Sequence, residues 1–219
     1  MLRNKNLILV GIFAIAMAYL ESAVVVYLRA MYSIKDLLRD TPLLTDPYTV
    51  IEVGREAATL VMLIIIGIIS GNTWQKRIAY SIYAFAIWDI FYYIWLFLFI
   101  QWPKSLFEWD ILFLIPLPWW GPVITPVIIS FLLILISYLV IIDAKFKITS
   151  FDWIIFSLSI IMILFTFMED SIKTILSGGK NINEVRPTDF NWILFLIAYI
   201  SMIITSIKVF YAGRNDRLP

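Results

Sequence analysis

Residues 122–142 read PVITPVIISFLLILISYLVII and contain no charged side chain. A helix of about 20 residues, rising 1.5 Å per residue, spans the ~30 Å hydrocarbon core of a bilayer. Five further apolar runs of comparable length flank this one, at about residues 7–31, 50–71, 78–100, 153–176 and 190–211. The sequence therefore predicts a bundle of six transmembrane helices.

The composition of the whole chain agrees with this prediction. Of its 219 residues 62% are hydrophobic, and the mean hydropathy is +0.90. Soluble domains are only about half apolar. The connections between the runs are also too short to hold a soluble domain of ~50 residues or more. We expect an all-α integral membrane protein in which residues 1–219 form a single polytopic membrane domain.

The absence of two residue types narrows the possible chemistry. The chain has no Cys, which excludes disulfides, thiolate metal sites and cysteine nucleophiles, and it has no His. Without His, haem ligation, the usual zinc sites and Ser-His or Cys-His catalysis are excluded. A net charge of +1 lacks the basic surface that nucleic-acid binding requires. We assign no catalytic, cofactor-binding or metal-binding residue, and we expect no cofactor and no nucleic-acid partner.

The distribution of Lys and Arg predicts the orientation, because cytoplasmic loops are richer in these residues. One set of termini and loops is basic with few acids, whereas the loops at 32–49, 101–121 and 177–189 mix basic and acidic residues. We therefore expect a multi-pass protein of the cell membrane with both termini cytoplasmic. The basic set is Arg3, Lys5, Lys76, Arg77, Lys145, Lys147, Arg214 and Arg217.

Charged residues inside the apolar runs are the candidates for function, because a charge in hydrocarbon is costly. Counted from the cytoplasmic ends of their helices, Glu21, Glu56 and Glu169 lie at similar depths of ~21, ~22 and ~24 Å. Arg55 shares this layer, and Asp89 lies nearer the midplane at ~16 Å. The candidate intramembrane polar site comprises Glu21, Arg55, Glu56, Asp89, Tyr92, Tyr93 and Glu169.

Each candidate also has a structural interpretation. Glu21 and Arg55 could neutralise each other between helices 1 and 2. Glu169 and Lys173 have the spacing of an ion pair on one helix surface. The two tyrosines three and four positions after Asp89 could satisfy that carboxylate through their hydroxyls.

Two capping-box patterns indicate helix starts. The pattern at 49–52, TVIE, lies at the start of the second helix and gives Glu52 a structural role. The pattern at 105–108, SLFE, predicts a short helix over about residues 106–115, which Pro116 ends. At ~15 Å this helix is too short to span a membrane, so we expect an interfacial or re-entrant element between helices 3 and 4.

Trp119 and Trp120 follow this element. One interpretation is an aromatic belt that anchors the loop in the headgroup region, where Trp is enriched. The other is a lid that packs over the carboxylate layer and controls access to it.

Three functions remain open. The first is proton- or cation-coupled transport, in which desolvated carboxylates take up protons or a cation. The second is an accessory or assembly subunit of a larger membrane complex. The third, and least favoured, is a membrane enzyme with an all-carboxylate divalent metal site formed by Glu21, Glu56 and Glu169. The expected partners are the lipid bilayer and, as open alternatives, other membrane subunits or further copies of the chain.

Overall fold

Six long helices and one β-hairpin make up the structure, a computed structural model that describes residues 2–35, 37, 47–176, 187 and 189–215. Each helix is long and apolar enough to cross a membrane, which confirms the six predicted spans to within a few residues. The chain is a polytopic membrane protein. Its elements are α1 Leu2–Met31, α2 Pro47–Ser70, α3 Trp74–Ile100, β1 Trp109–Phe113, β2 Trp119–Pro122, α4 Ile124–Ile141, α5 Ser150–Leu176 and α6 Trp192–Asn215.

Helix α3 is the centre of the bundle and packs against α1, α2 and α4, while α5 packs against α6. The first set surrounds a core that includes Val10, Ala14 and Ala84, all almost fully buried. The second core is aromatic and centres on Phe167 and Phe195. Large aliphatic side chains cover the outer surface of the bundle, as expected for helices that face lipid.

The contact between α2 and α3 depends on small residues. A Cβ atom added to Gly67 would lie 2.0 Å from Ser81 Oγ and 2.6 Å from the carbonyl oxygen of Arg77. One added to Gly71 would lie 2.4 Å from the backbone nitrogen of Arg77. The two glycines therefore allow the backbones of these neighbouring helices to approach closely.

The predicted short helix over residues 106–115 is wrong, since residues 109–113 form strand β1 and pair antiparallel with β2. The hydrogen bonds at this position differ from those of a capping box by one residue each, and they close only one turn. The backbone N–H of Phe107 donates to Ser105 Oγ (3.2 Å), and that of Lys104 donates to Glu108 Oε1 (3.1 Å). The residues that follow, WDILF, are mostly strand formers and find a partner strand after the prolines.

The hairpin enters the bundle rather than lying across it. The backbone N–H of Leu114, just after β1, reaches both carboxylate oxygens of Glu56 at 3.1 and 3.0 Å. Glu56 lies nine residues, ~14 Å, inside α2. The ring of Phe113 lies 6.2 Å from that of Trp88 in the middle of α3. The element between helices 3 and 4 is thus a β-hairpin inserted between the helices, and the end of the bundle at which it enters is called the hairpin end.

The tip of the hairpin has few backbone donors to satisfy. Non-helical backbone at membrane depth needs protein partners, because hydrocarbon offers none. Pro116 and Pro118 carry no N–H group. The carbonyl oxygen of Pro118 accepts a hydrogen bond from Ser171 Oγ of α5 at 3.1 Å. The proline content that predicted a turn therefore also suits a turn placed inside the bundle.

Candidate functional site: a charged central cavity

A cavity of about 450 Å³ lies between the helices and the hairpin. It extends from Tyr48, a half-exposed residue at the start of α2, to Ser130 in the middle of α4. Its volume is typical of small-molecule sites. The walls are mainly apolar. Its lining includes the charged and hydroxyl-bearing side chains of Glu21, Arg29, Glu52, Arg55, Glu56, Asp89, Tyr92, Tyr93, Asp110 and Ser130.

Arg55 joins α1 to α2 by pairing with two carboxylates. Its Nη1 atom forms an ion pair with Glu21, and its Nε atom donates to Glu52 Oε2 at 2.8 Å. Thr59 Oγ1 donates to the second oxygen of Glu21 at 3.1 Å. One guanidinium is thus shared by two carboxylates. The ion pair between Glu21 and Arg55 is the one considered from the sequence.

Glu56 lies beside these pairs, four residues after Glu52 on the same helix, but its hydrogen bonds go to the hairpin. Its carboxylate accepts from the backbone N–H of Leu114 at both oxygens and is 6% exposed. It forms no ion pair within the described part of the chain. Its direct partners are therefore neutral backbone donors.

Asp89 is the deepest carboxylate of the cavity, ~17 Å from the end of α3. It is 8% exposed and accepts a hydrogen bond from Ser130 Oγ of α4 at 2.9 Å. The donor is thus on a neighbouring helix, whereas the hydroxyl of Tyr93 bonds to Asp110. Among the described residues no cation pairs with Asp89.

A second charged group lies nearer the hairpin end. Arg29 Nη2 is 3.8 Å from Asp110 Oδ1, and the guanidinium lies 3.9 Å above the ring of Trp102. Burial raises the pKa of Asp110 to about 6, although Arg29 and the Tyr93 hydroxyl favour its ionised form. Asp110 Oδ2 and the Nε and Nη2 atoms of Arg29 lack a hydrogen-bond partner among the described residues.

Aromatic rings form a large part of the cavity wall. Trp88 stacks with Tyr92 at a centroid distance of 6.3 Å. Trp119 stacks on Phe167 at 6.2 Å with an interplanar angle of 12°, and it also contacts Phe113. The indole N–H groups of Trp88 and Trp119 have no hydrogen-bond partner among the described residues.

The two tryptophans of the expected lid both pack inside the protein. Trp119 lines the cavity, and Trp120 is only 2% exposed. An aromatic belt would instead place these indoles outward among lipid headgroups. The adjacent Gly121 lies so close to Phe167 that an added Cβ would meet its ring at 3.0 Å. Strand β2 is thus held tightly against α5.

Glu169 is not part of this cavity. Its carboxylate pairs with Lys173 at 2.7 Å and accepts from Asn191 Nδ2 at 3.1 Å. The three carboxylates of the least favoured alternative, a divalent metal site, are therefore not brought together. In the part of the chain that the structure describes, no group of three or more acidic residues could hold a metal ion.

Sequence reasoning missed four polar residues of the cavity. Arg29 lies in the last turn of α1, and Asp110 is a single acid within the apolar segment 109–115. Each is thus a charged residue in an apolar stretch, the feature by which the other candidates were chosen. Ser130 gave no signal, because serine is common in membrane helices. Glu52 was interpreted as a helix cap, but α2 begins earlier, at Pro47, and its carboxylate binds Arg55.

The fold and the cavity define a polytopic membrane protein with a charged internal cavity and a β-hairpin inserted between its helices. No protein-family model matches the sequence, and neither curated proteins nor solved structures give a significant match. The function must therefore be argued from the cavity itself.

Proposed function

We propose that this protein is a proton- or cation-coupled transporter and that Glu56 and Asp89 form its coupling site. One observation carries the proposal. Both carboxylates are buried on the cavity lining, yet their direct partners are neutral donors, Leu114 N–H and Ser130 Oγ. The remaining carboxylates of the cavity each lie within 4 Å of an arginine.

The chemistry follows from the cost of an uncompensated charge. An ionised carboxylate removed from water is disfavoured unless a cation or strong donors compensate it. A proton or a metal cation can supply the missing charge, and either can leave again when the site becomes hydrated. Carboxylates in this situation are characteristic of ion and proton pathways through membranes.

The hairpin links the protonation or cation binding of Glu56 to the opening of the cavity. Glu56 holds the tip of the hairpin through Leu114, so a proton or cation that binds to Glu56 competes with this contact. Trp119 lies beside it and covers part of the cavity. We propose that the hairpin acts as a lid that moves when Glu56 changes its partner. With both termini cytoplasmic, this lid is on the outer side of the cell membrane.

Charge movement on a solid-supported membrane tests the coupling site without a known substrate. Proteoliposomes are adsorbed to the sensor, and the buffer is switched from alkaline to acidic or from a hydrophilic quaternary ammonium ion to sodium. We expect a transient current in the wild type, because the bound charge enters the membrane field. The double variant Asp89→Asn, Glu56→Gln should lose it.

Glu169→Gln is the matched control, because this carboxylate lies off the cavity and should leave the current unchanged. An equal current in the double variant would contradict the assignment of the coupling site. No current in the wild type with any ion would contradict coupled transport itself.

A second function, that of an accessory subunit, is favoured by the charges that are already neutralised within the chain. Arg55 and Arg29 link α1 to α2 and to the hairpin, as expected for a structural network. Purification from the native membrane separates the two proposals. Stoichiometric co-purifying subunits, together with no current from the isolated chain, would favour the subunit.

A further inference from the structure

We propose that the cavity binds a lipophilic amine in its protonated form, that is, an apolar organic body carrying an ammonium group with at least one N–H. The proposal rests on the transport function proposed above and assigns its substrate class. Three independent features of the lining lead to it: its charge balance, an unpartnered acceptor and its aromatic wall.

The charge balance of the lining favours a cation. Among the described residues, five carboxylates but only two guanidinium groups line the cavity. Both arginines already have carboxylate neighbours, Arg55 two and Arg29 one. An anionic ligand would therefore meet, among the described residues, no guanidinium without a carboxylate neighbour, although Nε and Nη2 of Arg29 have no hydrogen-bond partner there. A cation would meet Glu56 and Asp89, neither of which forms an ion pair among the described residues, although Arg55 is close enough to Glu56 to interact with its charge.

The unpartnered acceptor indicates an N–H donor on the ligand. Asp110 is only 2% exposed, and its Oδ2 atom has no hydrogen-bond partner among the described residues although it belongs to a cavity-lining side chain. A buried acceptor without a donor is costly, and a charged donor satisfies it best. A protonated amine can donate to Asp110 or Asp89, whereas a quaternary ammonium ion cannot.

The wall of the cavity suits an apolar and aromatic ligand body. Trp88, Tyr92, Phe113, Trp119 and Phe167 all line it. Aromatic faces attract a cation over the ring and stack with flat ligands. A volume of about 450 Å³ matches a ligand of drug-like size rather than a bare metal ion.

The same carboxylates give a simple exchange. A proton on Asp89 or Glu56 neutralises the empty site, and an arriving ammonium ion displaces it, because both cations compensate the same charge. The proton leaves to water as the amine binds. A proton gradient would in this way drive the amine in the opposite direction.

Fluorescent probes that differ only in charge test the substrate class. Dansylcadaverine carries an ammonium group on a dansyl body; dansyl-pentylamide is its neutral analogue, and dansyl-aminohexanoate is its anionic one. The protein is placed in nanodiscs of zwitterionic phosphatidylcholine, and empty nanodiscs report partition into lipid. We expect saturable fluorescence enhancement with the ammonium probe and affinity lower by about tenfold or more with the other two.

Two variants locate the binding. Asp89→Asn should weaken dansylcadaverine binding by about tenfold or more, whereas Glu169→Gln should leave it unchanged. Lowering the pH should compete with binding in the wild type. Tight binding of the anionic or neutral probe, or binding of the ammonium probe that Asp89→Asn does not change, would overturn the proposal.

This failure is distinguishable from failure of the proposed function. If no dansyl probe binds but the ion-jump currents persist and need Asp89 and Glu56, the coupling site stands and the substrate class is wrong. If the ammonium probe binds but the currents are absent, the cavity is an amine site without coupling.

Discussion

Arg55 is the cavity residue that forms ion pairs with two carboxylates, those of Glu21 and Glu52. Its removal would leave the buried carboxylate of Glu21 and the partly buried one of Glu52 without a counter-ion, and breaking a buried pair in this way costs about 3 to 5 kcal/mol. We expect Arg55→Met to lower the unfolding temperature in detergent by many degrees. Adding Glu21→Gln and Glu52→Gln to this variant should recover part of the loss.

Lys173 offers the comparison, because it also pairs with a carboxylate but its side chain is 65% exposed. Exposed ion pairs are worth ~0–1 kcal/mol. Lys173→Met should therefore change the unfolding temperature little. Similar losses in Arg55→Met and Lys173→Met would show that the buried network does not contribute as described.

Asp110 makes the stability of the folded protein depend on pH, and the direction of this dependence follows from its pKa. Its pKa in the folded protein, about 6, is above the ordinary value of 3.8, because burial disfavours the ionised form. Between these two values the folded state binds more protons than the unfolded state. The contribution of Asp110 to stability should therefore rise as the pH falls from about 6 towards about 4.

Asp110→Asn removes this titration. We expect the unfolding temperature of the wild type relative to that of the variant to rise as the pH is lowered through this range. Thermal unfolding of both proteins at a series of pH values measures the difference. A difference that stays constant with pH would show that Asp110 does not titrate there.

The site residues that could be predicted from the sequence are charged residues within apolar helices, because burying their charge costs free energy whatever their neighbours are. Glu21, Glu56 and Asp89 stand out because an acid in an apolar run is expensive wherever it points. Their partners could not be predicted. Ser130 follows Asp89 by 41 residues, and only the packing of α3 on α4 brings the two together.

Among the elements, α2 and α3 depend on their glycine contact. Gly67→Ala would force a methyl group against Ser81 and the backbone of α3, and such overpacking costs ~1–3 kcal/mol. Gly54 on the same helix has nothing within 4 Å of an added Cβ. Gly54→Ala should be neutral or stabilise by up to ~1 kcal/mol, because Ala favours the helix.

Thermal unfolding of the two alanine variants in the same detergent compares the positions directly. An equal effect at both would mean that α2 does not approach α3 as closely as described.

The hairpin predicts how its tryptophans respond to lipid. Trp120 is almost fully buried and Trp119 stacks on Phe167, so neither should contact acyl chains. Brominated lipids should quench them weakly, as shown by Trp119→Phe and Trp120→Phe variants that lose little of the quenchable fluorescence. Trp153, which is 59% exposed, is the positive control. Strong quenching from positions 119 and 120 would contradict the inward packing.

The six helices follow from local composition, whereas the hairpin does not. Hydropathy over some 20 residues identifies a span without any knowledge of its neighbours. The segment 106–115 carried a capping pattern that favours a helix. A strand forms instead because residues 119–122 provide a partner strand. In addition, Glu56 and Ser171 from distant helices form hydrogen bonds with the backbone of the turn. Such contacts are absent from any local pattern.

For the molecule as a whole, the distribution of basic residues predicts that the hairpin end is extracytoplasmic. The chain lacks Cys, so single cysteines can report the topology. Ser105→Cys at the hairpin end should react with an impermeant maleimide added to intact cells. Lys145→Cys, exposed at the other end, should react only after permeabilisation. The opposite pattern would invert the orientation and place the lid on the cytoplasmic side. Ser33→Cys should react like Ser105→Cys; Lys180, the other loop position suited to this test, lies outside the described residues.

The inserted hairpin also constrains the order in which the parts of the bundle assemble during biosynthesis. Its backbone groups are satisfied by Glu56 of α2 and Ser171 of α5, and α5 is translated after the hairpin. When residues 109–122 emerge, half of their binding site does not yet exist. An open hairpin cannot rest in hydrocarbon, because its unpaired edges find no donors or acceptors there. The segment must therefore wait in water or in the translocon at least until α5 is inserted, so the cavity closes late in assembly.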